Sequence, residues 1–154
     1  MAPRASTREK KVKGRKRHLL VDVLGLVLAV AITPASTQDR DGAVPVLVEA
    51  HEQYPSLKLV WADTAYRGAV IDKVQEDTGV TIEVVKRNED QKGFVLLRRR
   101  WIVERTNGWF GKFRLLSKEY ERTLVSSRAD VLHGMTMIML RRLTTPRGSR
   151  NEAR

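Results

Sequence analysis

The sequence predicts a single α/β domain, and three observations carry that reading. Short apolar runs at 18–22, 26–32, 57–62 and 81–85 have the length of strands. Segments with helical spacing fall between and after them. One run closes on an acid, Asp63, which is where α/β sheets place polar residues that meet ligands. At 154 residues and 42% hydrophobic content, the chain can bury one ordinary core.

The elements follow in order. Residues 1–17 carry Arg8, Lys10, Lys11, Lys13, Arg15, Lys16 and Arg17 with almost nothing apolar, and read as a basic arm that either stays solvated or contacts phosphate. His18 to Asp22 and Leu26 to Ile32 form a hairpin turning at Gly25. A helix opens near Asp39 and Asp41, with Pro45 tolerable only in its first turn and Val44, Leu47, Val48 and His51 marking one face. A strand over Leu57 to Ala62, a helix around Ala69 to Asp77, a turn at Gly79 and a strand over 81–85 come next. One long helix is expected from about Val95 to Tyr120, buried along Ile102, Trp109, Phe113 and Leu116. Ser127 to Asp130 resembles a capping box for a last helix that ends near Leu143, and residues 144–154 read as a disordered tail. The domain proper is therefore 18–143.

Charge narrows the partners. Lys and Arg number 29 against 18 Asp and Glu, a net charge of +11 with a pI near 10.4, so the surface attracts polyanions and nucleic acid leads. No apolar run is long enough to span a membrane, and the first eighteen residues are too polar for a signal peptide, so the expected location is cytoplasmic. Without cysteine there is no disulfide, thiol catalysis or thiolate-bound zinc, and the three histidines are scattered. Any metal site must use oxygen ligands.

Two carboxylates stand out. Asp63 has the ordinary alternative of starting a turn or capping the next helix, and Glu104 that of pairing with Arg100 one helical turn earlier. Glu104 lies off the apolar stripe and shares its face with Arg100, Asn107, Gly108 and Gly111, while Arg98, Arg99, Arg105, Lys112 and Arg114 surround it with positive charge. Such a setting holds phosphates. Trp101, Trp109 and Phe110 offer aromatic faces either to bases or to the core.

Four segments, in this order, are similar to the landmarks of one family: 11–22 (KVKGRKRHLLVD), 33–36 (TPAS), 61–68 (WADTAYRG) and 99–106 (RRWIVERT). The chain resembles the DDE transposases of bacterial insertion sequences, in particular the insertion sequence five group, over about Lys10 to Leu143. The resemblance implies a ribonuclease H-like mixed sheet flanked by helices, Asp63 as the second catalytic acid, Glu104 as the third, and Arg100 as a signature arginine. It departs from the signature at Leu97 and Gly111, where the family has tyrosine and lysine; Lys112 stands one position late. The first acid and its strand are missing, because no apolar run precedes His18. Asp22, Asp39 and Asp41 do not replace it, since the resemblance puts them at a hairpin turn or a helix start.

What the resemblance implies is DNA transposition by cleavage and joining of phosphodiesters with two Mg²⁺ or Mn²⁺ ions held by Asp63, Glu104 and the absent Asp. Lys11, Lys13, Arg15, Lys16, Arg17, Arg98, Arg99, Arg100, Arg105 and Lys112 would hold double-stranded DNA at transposon ends, in a bacterial, nucleoid-associated protein. This chain is then expected to be inactive alone, either truncated or one frame of a split gene whose upstream product supplies the acid. The alternatives are a non-catalytic DNA-binding module that competes with or joins the full transposase, and a basic RNA- or ribosome-associated protein, which does not account for Asp63 with Glu104.

Overall fold

The computed structural model describes residues 14–63, 65–85 and 101–145, and in these it is an α/β protein of four strands and five helices. The hairpin is β1 (Arg15–Val21) and β2 (Val27–Pro34), antiparallel from Arg15 opposite Pro34 to Leu20 opposite Ala29, with a register shift between Leu20 and Val21. Its turn is made by Asp22, whose Oδ1 accepts the N–H groups of Leu24 and Leu26 at 2.8 Å each, and by Gly25, whose φ of 80° favours glycine.

β1 begins three residues earlier than apolar content suggests. Arg15, Lys16 and Arg17 lie in the strand and not in an arm, because their charges are met inside the fold. Arg15 donates to the carbonyls of Arg122 and Thr123 at 2.8 Å and to Glu119 at 3.1 Å, and Arg17 donates to the Leu116 carbonyl at 2.8 Å. Lys16 Nζ reaches the Thr37 carbonyl and Asp39 Oδ1.

Strand alternation gives β2 two buried faces. Val30 and Ile32 join Phe110, Leu116, Val131 and Met135 in one core, while Ala29 and Ala31 pack on Val46 and Ala50. The second face is covered by α1 (Asp39–Gln53). This helix runs through Pro45 at its seventh position, past the first turn where the ring was expected. Proline there removes one helical hydrogen bond, and burial of Ala43, Val46, Leu47 and Ala50 offsets the loss. Val48, assigned from the sequence to the buried face, is instead 39% exposed. The face that packs is the one whose small residues let the backbone come close: a Cβ on Gly42 would sit 2.2 Å from His18 Nε2.

A parallel unit follows. β3 (Leu59–Ala62) and β4 (Thr81–Val84) pair with Leu59 opposite Thr81, joined by α2 (Ala69–Thr78), which ends at Gly79 with φ 68°. Val60, Ile71, Val74 and Val80 close a core against Ala43 and Leu47. The described strands therefore form two two-stranded sheets, one antiparallel and one parallel, where the sequence suggested a single mixed sheet.

The expected long helix is interrupted. α3 (Trp101–Phe110) stops at a turn, and α4 (Arg114–Ser117) and α5 (Leu124–Thr144) follow. Glycine at 108 and 111 weakens helix continuation, and the turn lets Phe110 and Leu116 bury together against Gly134 of α5. The buried aromatic is Phe110, 2% exposed, and not Trp109 of the expected stripe. α5 is capped by Thr123, whose Oγ1 accepts the Ser126 N–H at 3.0 Å. Ser127, assigned from the sequence as the cap, is buried inside the helix and donates to the Glu119 carboxylate. Residues 1–13, 86–100 and the tail from 146 lie outside the described residues. Among those described, no helix is long and apolar enough to cross a membrane.

Candidate active site

The candidate site is a cavity of about 280 Å³ between the two sheets, lined on one side by His18 and Leu20 of β1 and on the other by Val60 to Ala62 of β3 and the following Asp63. Asp63 follows the last residue of β3, and its carbonyl accepts the Tyr66 N–H at 3.0 Å, which turns the chain away and leaves the side chain at the strand end. Glu104 enters from the first turn of α3 and lines the same cavity beside Val103. Asp63 and Glu104, 41 positions apart in sequence, thus line one cavity.

Glu104 is exposed, and no hydrogen bond or ion pair joins its carboxylate to another of the described residues. Arg100, the partner considered from the sequence, lies outside the described residues. The position of Glu104 comes from Thr106, fully buried two residues on, whose Oγ1 donates to the Gly25 carbonyl at 2.7 Å. A Cβ on Gly25 would sit 2.8 Å from that hydroxyl, so the hairpin turn must be glycine for α3 to dock. Thr106→Val should leave the Gly25 carbonyl buried without a donor and cost about 1–3 kcal/mol, whereas Thr106→Ser should retain most of the stability. Urea unfolding of both variants checks this, and an unchanged midpoint for Thr106→Val would remove the contact from the account.

Two further groups line the cavity that the sequence did not single out. His18, 4% exposed, bonds through Nε2 to Thr33 Oγ1 at 2.8 Å. Burial lowers its pKa, against the opposing pull of Asp39, so the ring is neutral at pH 7. The Tyr66 hydroxyl is pushed up by burial and then by the charges of Asp39 and Asp63, which keeps it a neutral donor between two acids. A histidine in an apolar strand and a tyrosine after a turn carry no signal of this kind in sequence; only the fold brings them together.

Of the predicted DNA contacts, Lys11, Lys13, Arg98, Arg99 and Arg100 lie outside the described residues. Arg15, Lys16 and Arg17 are engaged within the fold as above. Arg105 is stacked between Trp101 and Trp109, 4.3 and 4.9 Å from the ring centres, and Arg142 covers Trp109 at 4.4 Å. Lys112 is exposed at the turn after α3.

The profile of the transposase DDE domain family matches residues 2–140. The chain is a member of the DDE transposase family. A relative from Burkholderia cepacia, whose name assigns it as transposase for insertion sequence element IS402, is 32% identical over 129 residues, 79% of this chain and 57% of the relative. The chain thus spans a little over half the length of that transposase. No solved structure gives a significant match. DDE transposases generally work with divalent metal ions. Asp63 and Glu104 suit such an ion in kind, being hard oxygen donors on one cavity, but among the described residues no three His, Cys, Asp or Glu side chains gather into a metal-holding group.

Proposed function

We propose that this chain is the C-terminal catalytic part of a DNA transposase, with Asp63 and Glu104 as two of its three acids and the ends of the mobile element as substrate. What supports the reading is that Asp63 and Glu104 line one cavity in a member of a family of transposases. Mg²⁺ or Mn²⁺ bound there would neutralise charge on the attacking and leaving oxygens of a phosphodiester. The residues of this chain do the rest. Asp63 and Glu104 fix the place of reaction, the neutral Tyr66 hydroxyl stands ready to donate to a non-bridging oxygen, and apolar Leu20, Val60 and Val103 keep bulk water out.

Two acids do not make the full cradle, and the fold reading is a ribonuclease H-like sheet whose central first strand is not among the described strands. Asp22 does not fill the place: its Oδ1 is occupied by two backbone N–H groups of the hairpin turn. Asp39 is paired with Lys16. The chain alone is accordingly proposed to bind DNA without cutting or joining it, and it would work with a full-length transposase or an upstream product. A second reading, a DNA-binding module that joins or competes with the complete enzyme, is favoured because no third acid joins Asp63 and Glu104 among the described residues.

The charge account is tested by binding. Affinity for duplex DNA should fall steeply with salt, by about 0.9 in the log-log slope per phosphate neutralised, and with little sequence preference. Replacing Arg98, Arg99 and Lys112 by Glu should weaken it more than three such changes among the charges after Thr145. A salt-independent affinity would reject a phosphate-bound surface.

A further inference from the structure

We propose that α5 carries a second apolar face by which this chain pairs with another copy of itself, the two helices running antiparallel about a two-fold axis level with Gly134. The pairing is independent of the catalytic reading above.

α5 is apolar on two sides. One side, with Val131, Gly134 and Met135, is buried against the hairpin and Phe110. The other carries Val125, Ala129, Leu132, Thr136, Met139 and Leu143 at alternating intervals of four and three, the spacing of a coiled-coil seam. All six are exposed, Val125 by 78%, Leu143 by 82% and Leu132 by 41%. None is charged, in a chain where Lys, Arg, Asp and Glu make up 31% of the residues, so the seam is not an ordinary solvated face. An exposed apolar stripe of this length marks an interface.

The side chains select a second copy and its direction. With the helices antiparallel, each layer sets a smaller residue against a larger one: Ala129 against the partner's Met139, Thr136 against the partner's Leu132, and Val125 against the partner's Leu143 at the rim. The two-fold axis repeats each contact, so one surface complements itself. A parallel pair would stack Ala129 on the partner's Ala129, leaving space there, and would align the two helix dipoles unfavourably. The arginines bordering the seam are already held within one copy, Arg128 by Glu49 and Arg142 over Trp109. The seam spans about 27 Å of helix at 1.5 Å per residue and offers roughly 600 Å² a copy, on the order of 1,200 Å² in the pair, the lower end for a specific interface. A reversible dimer is what such a contact sustains.

The test is analytical ultracentrifugation of the full chain over a wide range of concentration. The chain should pass from monomer to dimer with a dissociation constant on the order of 10 µM, and more tightly at high salt, which screens the +11 charge of each copy, whereas DNA binding weakens with salt. Leu132→Glu, which places two acids at the centre of the seam, should weaken the dimer at least about tenfold and leave the melting temperature of the dilute monomer unchanged, because Leu132 is exposed in one copy. Direction is read by cross-linking, since the chain has no cysteine of its own. Ala129→Cys and Met139→Cys proteins, mixed under oxidised glutathione, should join through a disulfide. Each alone should not, because its thiol and the partner's would lie about 15 Å apart along the helix pair. A chain that stays monomeric throughout, a Leu132→Glu variant that dimerises as tightly as the parent, or Ala129→Cys protein that cross-links alone as fast as the mixture would each overturn the proposal.

Discussion

Phe110→Ala is expected to cost about 3–5 kcal/mol, the range for truncating a buried aromatic, and to lower the melting temperature by roughly 6 to 20 °C for a chain of this size. Phe110 is 2% exposed and joins Val30 of the hairpin, Leu116 of α4 and Met135 of α5, so the cavity left behind would be shared by every element around that core. Collapse into it is hindered, because Gly134 already lets α5 approach as near as a backbone can. Val125→Ala, at a residue 78% exposed on the same helix, should stay within about 0.5 kcal/mol. Thermal or urea unfolding of the two variants checks the contrast, and similar losses would mean that the core is not where the fold places it.

The second large effect concerns the split sheet. An extended chain, carrying an upstream apolar strand that ends in Asp, should melt several degrees higher than this one and gain metal-dependent DNA joining. The gain in stability has two sources, the pairing of strand-edge backbone groups and the burial of side chains worth about 1.5–3 kcal/mol each before the entropy of ordering the strand is subtracted. On the function proposed above, the gain in activity would come from the added carboxylate alone. Changing it to Asn should keep the higher melting temperature and abolish joining. A melt beside a strand-transfer assay on the three proteins separates these contributions, and an extension that gives neither would contradict the proposed function.

Much of this was legible because strands and their ends are local. Apolar runs gave both hairpin strands and the β3–α2–β4 unit, and Asp63 could be placed at a strand end without knowing what it faces. The rest depends on contacts that sequence spacing does not encode. Arg15 and Arg17 read as part of a basic arm because nothing near them in sequence accepts their hydrogen bonds; the acceptors lie about a hundred residues away, at Leu116, Glu119 and Thr123. The helix break after Phe110 follows from how Leu116 meets α5, a tertiary preference that overrides periodicity. α1 packs through Gly42, Ala43 and Ala50, small residues that an apolar stripe of valines outweighs on paper. Thr106 is the plainest case. It is an unremarkable helix residue until Gly25 is brought against it, and through that contact it sets where Glu104 stands.

The claim that Asp63 and Glu104 act together is tested most directly by strand transfer with the extended chain and its Asp63→Asn and Glu104→Gln variants, in Mg²⁺ or Mn²⁺, on DNA bearing the element's ends. Each variant should lose at least about a thousandfold in rate while binding DNA as tightly as the parent, and the double variant should lose little more than either alone, as expected of groups that work as a unit. Activity that survives either change, or that this chain shows alone and loses only when Asp22 is replaced, would contradict it.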